Sequence, residues 1–208
     1  FRFGGQQAES DANSAFFLFA FIVGIFLMSI LLMVQLNSFY QVFIIVSAVI
    51  LSTAGVQLGL LVTQQISSAL FTSLGVIALA GIVVNNNIVL VDTYNVISKE
   101  NPNLSRDQIV VRTAAQRLRP IILTTATTVI GLLPLASGIG VDFYQRNIEI
   151  GGRVSEWWQP MSFAVVWGLT FASALTLFLT PCWLMLPVAI RETFSNIKKT
   201  FLKTASER

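Results

Sequence analysis

The sequence has no histidine, a single cysteine and few charges, with only 11% of its 208 residues charged. Without histidine there is no serine-histidine pair for nucleophilic catalysis and no imidazole for a metal. Cys182 has no second cysteine, so the chain can form no internal disulfide and shows no metal-binding spacing. No cofactor and no metal site is expected. The scarcity of charge also excludes a soluble globular domain, because 54% of the residues are hydrophobic.

The apolar residues fall into five blocks: Phe16 to Gln35, Val42 to Val62, Leu70 to Val91, Ile121 to Ala136, and Met161 to Val188. About 20 apolar residues cross a bilayer as a helix, and each block reaches or approaches that length. A membrane barrel would need alternating strands, which these runs lack. The expected fold is an all-α membrane protein with five transmembrane helices, whose two ends lie on opposite sides.

The basic residues give the orientation. Lys99, Arg106, Arg112, Arg117 and Arg119 lie between the third and fourth blocks, and Arg191, Lys198, Lys199, Lys203 and Arg208 lie in the tail. By the positive-inside rule both segments are cytoplasmic. Arg2, Arg146 and Arg153 fall on the other side, where Glu9 and Asp11 also sit. The amino terminus is expected outside and the carboxyl terminus inside. The net charge of +3 then reflects loops beside lipid headgroups and implies no nucleic-acid partner. An outside amino terminus with neither start methionine nor signal sequence implies a piece of a longer chain.

Residues 1–14 are polar and glycine-containing, and read as the end of an outside domain. Residues 15–97 hold the first three spans. The first is apolar all round, with Phe16, Phe17, Phe19, Phe21 and Phe26 facing lipid or protein. A very short turn makes it a hairpin with the second, and Tyr40 sits at interface depth. Gly55 and Gly59 have a spacing that permits close helix contact. Residues 98–119 form a cytoplasmic loop in which Ser105 and Gln108 have capping-box spacing ahead of an amphipathic interfacial helix. Residues 120–190 hold the last two spans, joined by an outside loop at 137–160 where Trp157 and Trp158 are interfacial anchors. Pro120 fits the first turn of the fourth span, and Thr180-Pro181 marks a kink in the fifth. Residues 191–208 are a cytoplasmic tail.

One stretch resists a purely structural reading. Within the third block, Gly81-Ile82-Val83-Val84-Asn85-Asn86-Asn87-Ile88-Val89-Leu90-Val91-Asp92 carries three consecutive amides. An unsatisfied amide in hydrocarbon costs a few kcal/mol, so each must turn toward protein or a water-filled cavity. At about 100° per residue the three fan over roughly 200°. The helix is therefore expected to be surrounded on more than half its circumference, with Ala78, Gly81, Asn85, Val89 and Asp92 on one stripe. The fourth span opens with Thr124, Thr125, Thr127 and Thr128. Thr124, Thr127, Thr128 and Gly131 share a face suited to a polar helix, although each threonine can instead bond its own backbone.

Gly81 to Asp92, then Arg117-Leu118-Arg119-Pro120-Ile121-Ile122-Leu123-Thr124, then Gly131-Leu132-Leu133-Pro134-Leu135, in that order, resemble the carboxyl-terminal half of resistance-nodulation-division (RND) efflux pumps. The similarity is to the branch exporting drugs and other amphiphiles. It covers essentially the whole chain as the last five of twelve spans, plus the interfacial helix.

The resemblance implies an antiporter of the bacterial inner membrane, driven by the proton motive force. It also implies a homotrimer working with a periplasmic adaptor and an outer-membrane channel. The proton relay of that family uses two aspartates on the fourth span, which would lie in the missing amino-terminal half, and a lysine, an arginine and a threonine at positions matching Asn85, Arg117 and Thr124. Asn86 and Asp92 also match polar positions of that helix, and Asn87 and Thr128 extend the candidate coupling set. Asn85 departs from the pattern: an amide offers hydrogen bonds where a lysine offers charge.

The residues independently show no ionisable group in the middle of any block, whereas proton transport needs one within the membrane. Other readings stay open. They are another member of the superfamily, such as a lipid exporter or protein-export accessory, and a non-transporting bundle assembled by its polar residues. An intramembrane protease would need a histidine or paired membrane aspartates. Asp92, Asp107 and Asp142 are not placed in mid-span, so the chain is not expected to be an enzyme.

Overall fold

The computed structural model of the protein describes residues 5–64, 68–142 and 147–206. Five helices make up nearly all of it: α1 (Gly5–Leu36), α2 (Phe39–Thr63), α3 (Ala69–Glu100), α4 (Arg106–Ala136) and α5 (Arg153–Ser206). Each contains a stretch long and apolar enough to cross a membrane: Ala12–Leu36, Phe39–Thr63, Leu70–Glu100, Arg106–Ala136 and Trp157–Pro187. The protein is an all-α membrane bundle with five spans, as its composition requires.

The connections follow from local chemistry. Between α1 and α2, Asn37 adopts φ 48°, a left-handed conformation that asparagine tolerates, and the chain reverses there. The Ser38 hydroxyl then accepts from the Gln41 amide at 3.5 Å and caps α2. Before α4, the Ser105 hydroxyl accepts from the Gln108 amide at 3.4 Å, so the expected cap is in place.

Several elements run further than their sequence signals suggest. The polar amino-terminal segment is helical from Gly5 and continuous with the first span. The interfacial helix is not a separate element but the first turns of α4, which passes through Pro120 without a break. Proline removes the bond to the Gln116 carbonyl. Gln116 and Pro120 are both exposed, so that carbonyl stays open to polar surroundings and the fixed φ of proline remains compatible with a helix. The 137–160 loop holds a small antiparallel hairpin, β1 (Ile139–Asp142) and β2 (Asn147–Ile150), pairing Ile139 with Ile150. The tail continues α5 as helix to Ser206. Arg2, Arg146 and Arg208 lie outside the described residues, as do the side chains of Arg153, Arg191, Lys198, Lys199 and Lys203.

α5 is the hub, packed against α2, α3 and α4. Glycines let it approach. A Cβ at Gly55 would lie 2.5 Å from the Phe171 Cβ, and one at Gly59 would lie 2.4 Å from the Trp167 Cγ. The glycine spacing seen in the second span is therefore a contact face for α5. On α5 itself, a Cβ at Gly168 would lie 2.2 Å from Leu79 Cδ2. The main core joins Val49 and Val56 of α2 and Leu79 and Val83 of α3 to Ala164 and Leu169 of α5. By contrast α1 exposes Phe16, Phe19, Phe26 and Val34, a lipid-facing surface by its chemistry.

Candidate functional site

The three asparagines of α3 have separate fates. Asn87 is wholly buried. Its Nδ2 donates to the Val83 carbonyl at 2.9 Å and to Thr176 Oγ1 of α5 at 3.2 Å. Thr180 Oγ1, also on α5, donates to Asn87 Oδ1 at 2.8 Å. All the amide's main bonding directions are thus used inside the bundle. Asn86 is half-buried and Asn85 is exposed.

The exposed position of Asn85 is part of a pattern. Gly81, Asn85, Val89, Asp92 and Val96 are all exposed, with Ala78 half-buried at the head of the same stripe. α3 touches α1, α2, α4 and α5, yet this stripe remains uncovered among the described residues. The helix is therefore enclosed on one side only, and the polar stripe expected to meet protein is the side left open. Its polar groups point where no described helix can satisfy them, which a bilayer would penalise unless something further covers them.

The neighbouring helix continues this open face. On α4, Thr124, Thr127 and Gly131 are exposed, and nothing lies within 4 Å of a Cβ built at Gly131 or at Gly81. The threonines bond their own helix: Thr124 to the Ile121 carbonyl at 3.0 Å, Thr127 to Leu123 at 2.9 Å, and Thr128 to Thr124 at 2.8 Å. Back-bonding leaves each hydroxyl oxygen free to accept from a further partner. Thr125, which lies off that face, is the one that reaches another helix, meeting Ser173 of α5 at 2.6 Å.

Arg117 is not a simple surface anchor. Its Nε donates to Thr93 Oγ1 across the α3/α4 contact. The same threonine donates to the Val89 carbonyl at 2.7 Å, so the guanidinium is tied into the α3 backbone ladder. Thr93 lies eight residues beyond Asn85, about 12 Å along the helix axis at 1.5 Å per residue. The structure thus separates Arg117 from Asn85, while Asp92 stands on the open stripe at the Arg117 level.

Two further polar links escaped the sequence reading. Gln41 of α2 and Asn95 of α3 exchange amide bonds of 2.6 and 3.0 Å. The Tyr40 hydroxyl donates to the Trp183 carbonyl. That carbonyl lacks a helical donor because Pro187, four residues on, has no N–H. Gln41 stands out as an amide ahead of an apolar run, but Asn95 lies in the polar end of its helix, and no pattern in the sequence names the pair.

A family model described as the AcrB/AcrD/AcrF family matches residues 1–187. The chain belongs to the AcrB/AcrD/AcrF family of RND efflux transporters. Among curated members it is 32% identical over 149 residues to multidrug resistance protein MdtC of Citrobacter koseri, a match covering 70% of this chain and 13% of the relative. It is 30% identical over 178 residues to swarming motility protein SwrC of Bacillus subtilis, covering 86% of this chain and 16% of the relative. A crystal structure of a heavy metal efflux pump superposes with a TM-score of 0.64 at 30% identity, covering 88% of this chain and 17% of that one. The chain thus spans only a small part of the length of the family members it matches. A multi-pass membrane location follows from the apolar helices and the family together.

Proposed function

We propose that the chain is the carboxyl-terminal membrane part of a proton-driven RND exporter of drugs or other amphiphiles. The observation that carries this reading is the open polar face, formed by Gly81, Asn85, Val89 and Asp92 of α3 beside Thr124, Thr127 and Gly131 of α4. Such a face belongs against a further membrane helix, and the family's length leaves ample chain to supply it. In this reading that helix bears the carboxylates that take up and release the proton. Asn85 and Thr124 bond them according to their protonation state, Thr128 and Asn86 border the contact, and Asp92 and Arg117 set the field at its α3/α4-loop end. Asn87 turns away from this surface toward α5.

The whole protein acts in the bacterial inner membrane, with the α3/α4 loop and the tail in the cytoplasm. It works as a homotrimer with a periplasmic adaptor and an outer-membrane channel. The similarity to a heavy metal efflux pump supports a second substrate reading, export of metal ions. Drug and proton flux in vesicles from the full-length parent, at matched trimer level, tests the coupling. Asn85→Ala is expected to lower drug-driven proton movement by about tenfold or more, since an intramembrane hydrogen bond is lost from the coupling contact. Unchanged flux in Asn85→Ala excludes the coupling role, and proton release driven by a metal ion but by no drug selects the second substrate.

A further inference from the structure

Asn85 and Asn87 lie roughly 200° apart around α3, so fixing one inward fixes the other outward. The inward one is held by two threonines, Thr176 and Thr180, spaced one turn apart on α5. Thr176 is itself one turn from Ser173, which meets Thr125 of α4, the neighbour of Thr124. Asn87, Thr176, Thr180 and Ser173 are all buried. Two helices that present the open face are therefore bonded to adjacent turns of one hub helix.

We infer that Asn87 is a positioning residue: its bonds to Thr176 and Thr180 set the rotation of α3, so that Asn85 faces outward in register with Thr124, and α5 carries changes between the two helices. Packing alone would not fix this rotation. The core cluster that α3 and α5 share is aliphatic, including Leu79 and Val83 of α3 and Ala164 and Leu169 of α5, whereas an amide between two hydroxyls has one satisfied orientation. The inference rests on the coupling role proposed for the open face.

The test uses the full-length parent in vesicles at matched protein level, with drug-driven proton flux followed across a pH series. Asn87→Leu and the double variant Thr176→Val with Thr180→Val are expected to lower flux about tenfold, the scale of two interhelical hydrogen bonds in a bilayer, and to displace the pH profile. In Asn87→Leu the freed threonines can bond their own backbone, whereas the double valine variant strands the Asn87 amide, so the melting temperature of each variant is measured beside its flux. Thr176→Ser with Thr180→Ser keeps both hydroxyls and is expected to keep the wild-type profile.

Geometry is read separately by nitroxide labels at Glu100, at the end of α3 beyond the open stripe, and Val111 of α4, both exposed, in a Cys182→Ser background. A shifted or broadened distance distribution in Asn87→Leu, absent from the serine variant, is the expected result. An unchanged distribution in Asn87→Leu overturns the inference whatever the flux. A changed distribution with unaltered flux and an unmoved pH profile upholds the positioning of α3 and counts against the coupling role of the open face instead.

Discussion

Single side chains account for how closely these helices pack. Gly59 admits Trp167, whose ring would stand 2.4 Å from an added Cβ, too near for any relaxed contact. Gly59→Ala is expected to destabilise the full-length parent by about 1–3 kcal/mol through overpacking, seen as a lower melting temperature in detergent. Gly24→Ala, with nothing within 4 Å, is the control and should not melt earlier. Tyr40 has a different task, satisfying the Trp183 carbonyl that Pro187 leaves without a donor. Tyr40→Phe is expected to cost about 1 kcal/mol alone. In a Pro187→Ala background, where the backbone can donate to Trp183 again, that cost should largely vanish. Equal costs in both backgrounds, measured as a double-mutant cycle, would show that the tyrosine acts elsewhere.

At the scale of the element, most boundaries were legible because each rests on one local cause. Ser105 with Gln108 gave the start of α4, and the very short gap between the first two apolar blocks gave the turn into α2. Pro120 misled because a proline next to a charged segment reads as a helix start, whereas its exposed position lets one helix run through it. The reciprocal Gln41 and Asn95 bond, which ties α2 to α3, was illegible, since pairing across helices depends on their relative rotation rather than on sequence spacing. Removing one of these amides strands the other. Gln41→Leu alone is therefore expected to destabilise by about 1–2 kcal/mol, and Gln41→Leu with Asn95→Leu by clearly less, in thermal unfolding of the parent. A double variant as unstable as the sum of its singles would refute the pairing.

For the whole molecule, five spans and their alternation could be read from hydropathy alone, and the family from three ordered segments. What could not be read was which face of the asparagine helix would be enclosed. Three consecutive amides point in three directions, and it is Thr176 and Thr180 of α5, a helix that Gly168 brings close to α3, that take Asn87 and leave Asn85. In the proposed reading, the open face of α3 and α4 is the surface through which this part of the transporter meets the rest.

The most direct test of that account is a cysteine scan of α3 from position 81 to 92 in the full-length parent, lacking Cys182, in sealed vesicles with a proton gradient imposed or collapsed. Reactivity toward a small thiol reagent is predicted to change with the gradient at positions 85, 89 and 92, and to stay unchanged at 83 and 90, both buried. Reactivity that ignores the gradient along the whole stripe, or that responds equally at 83 and 90, would contradict it.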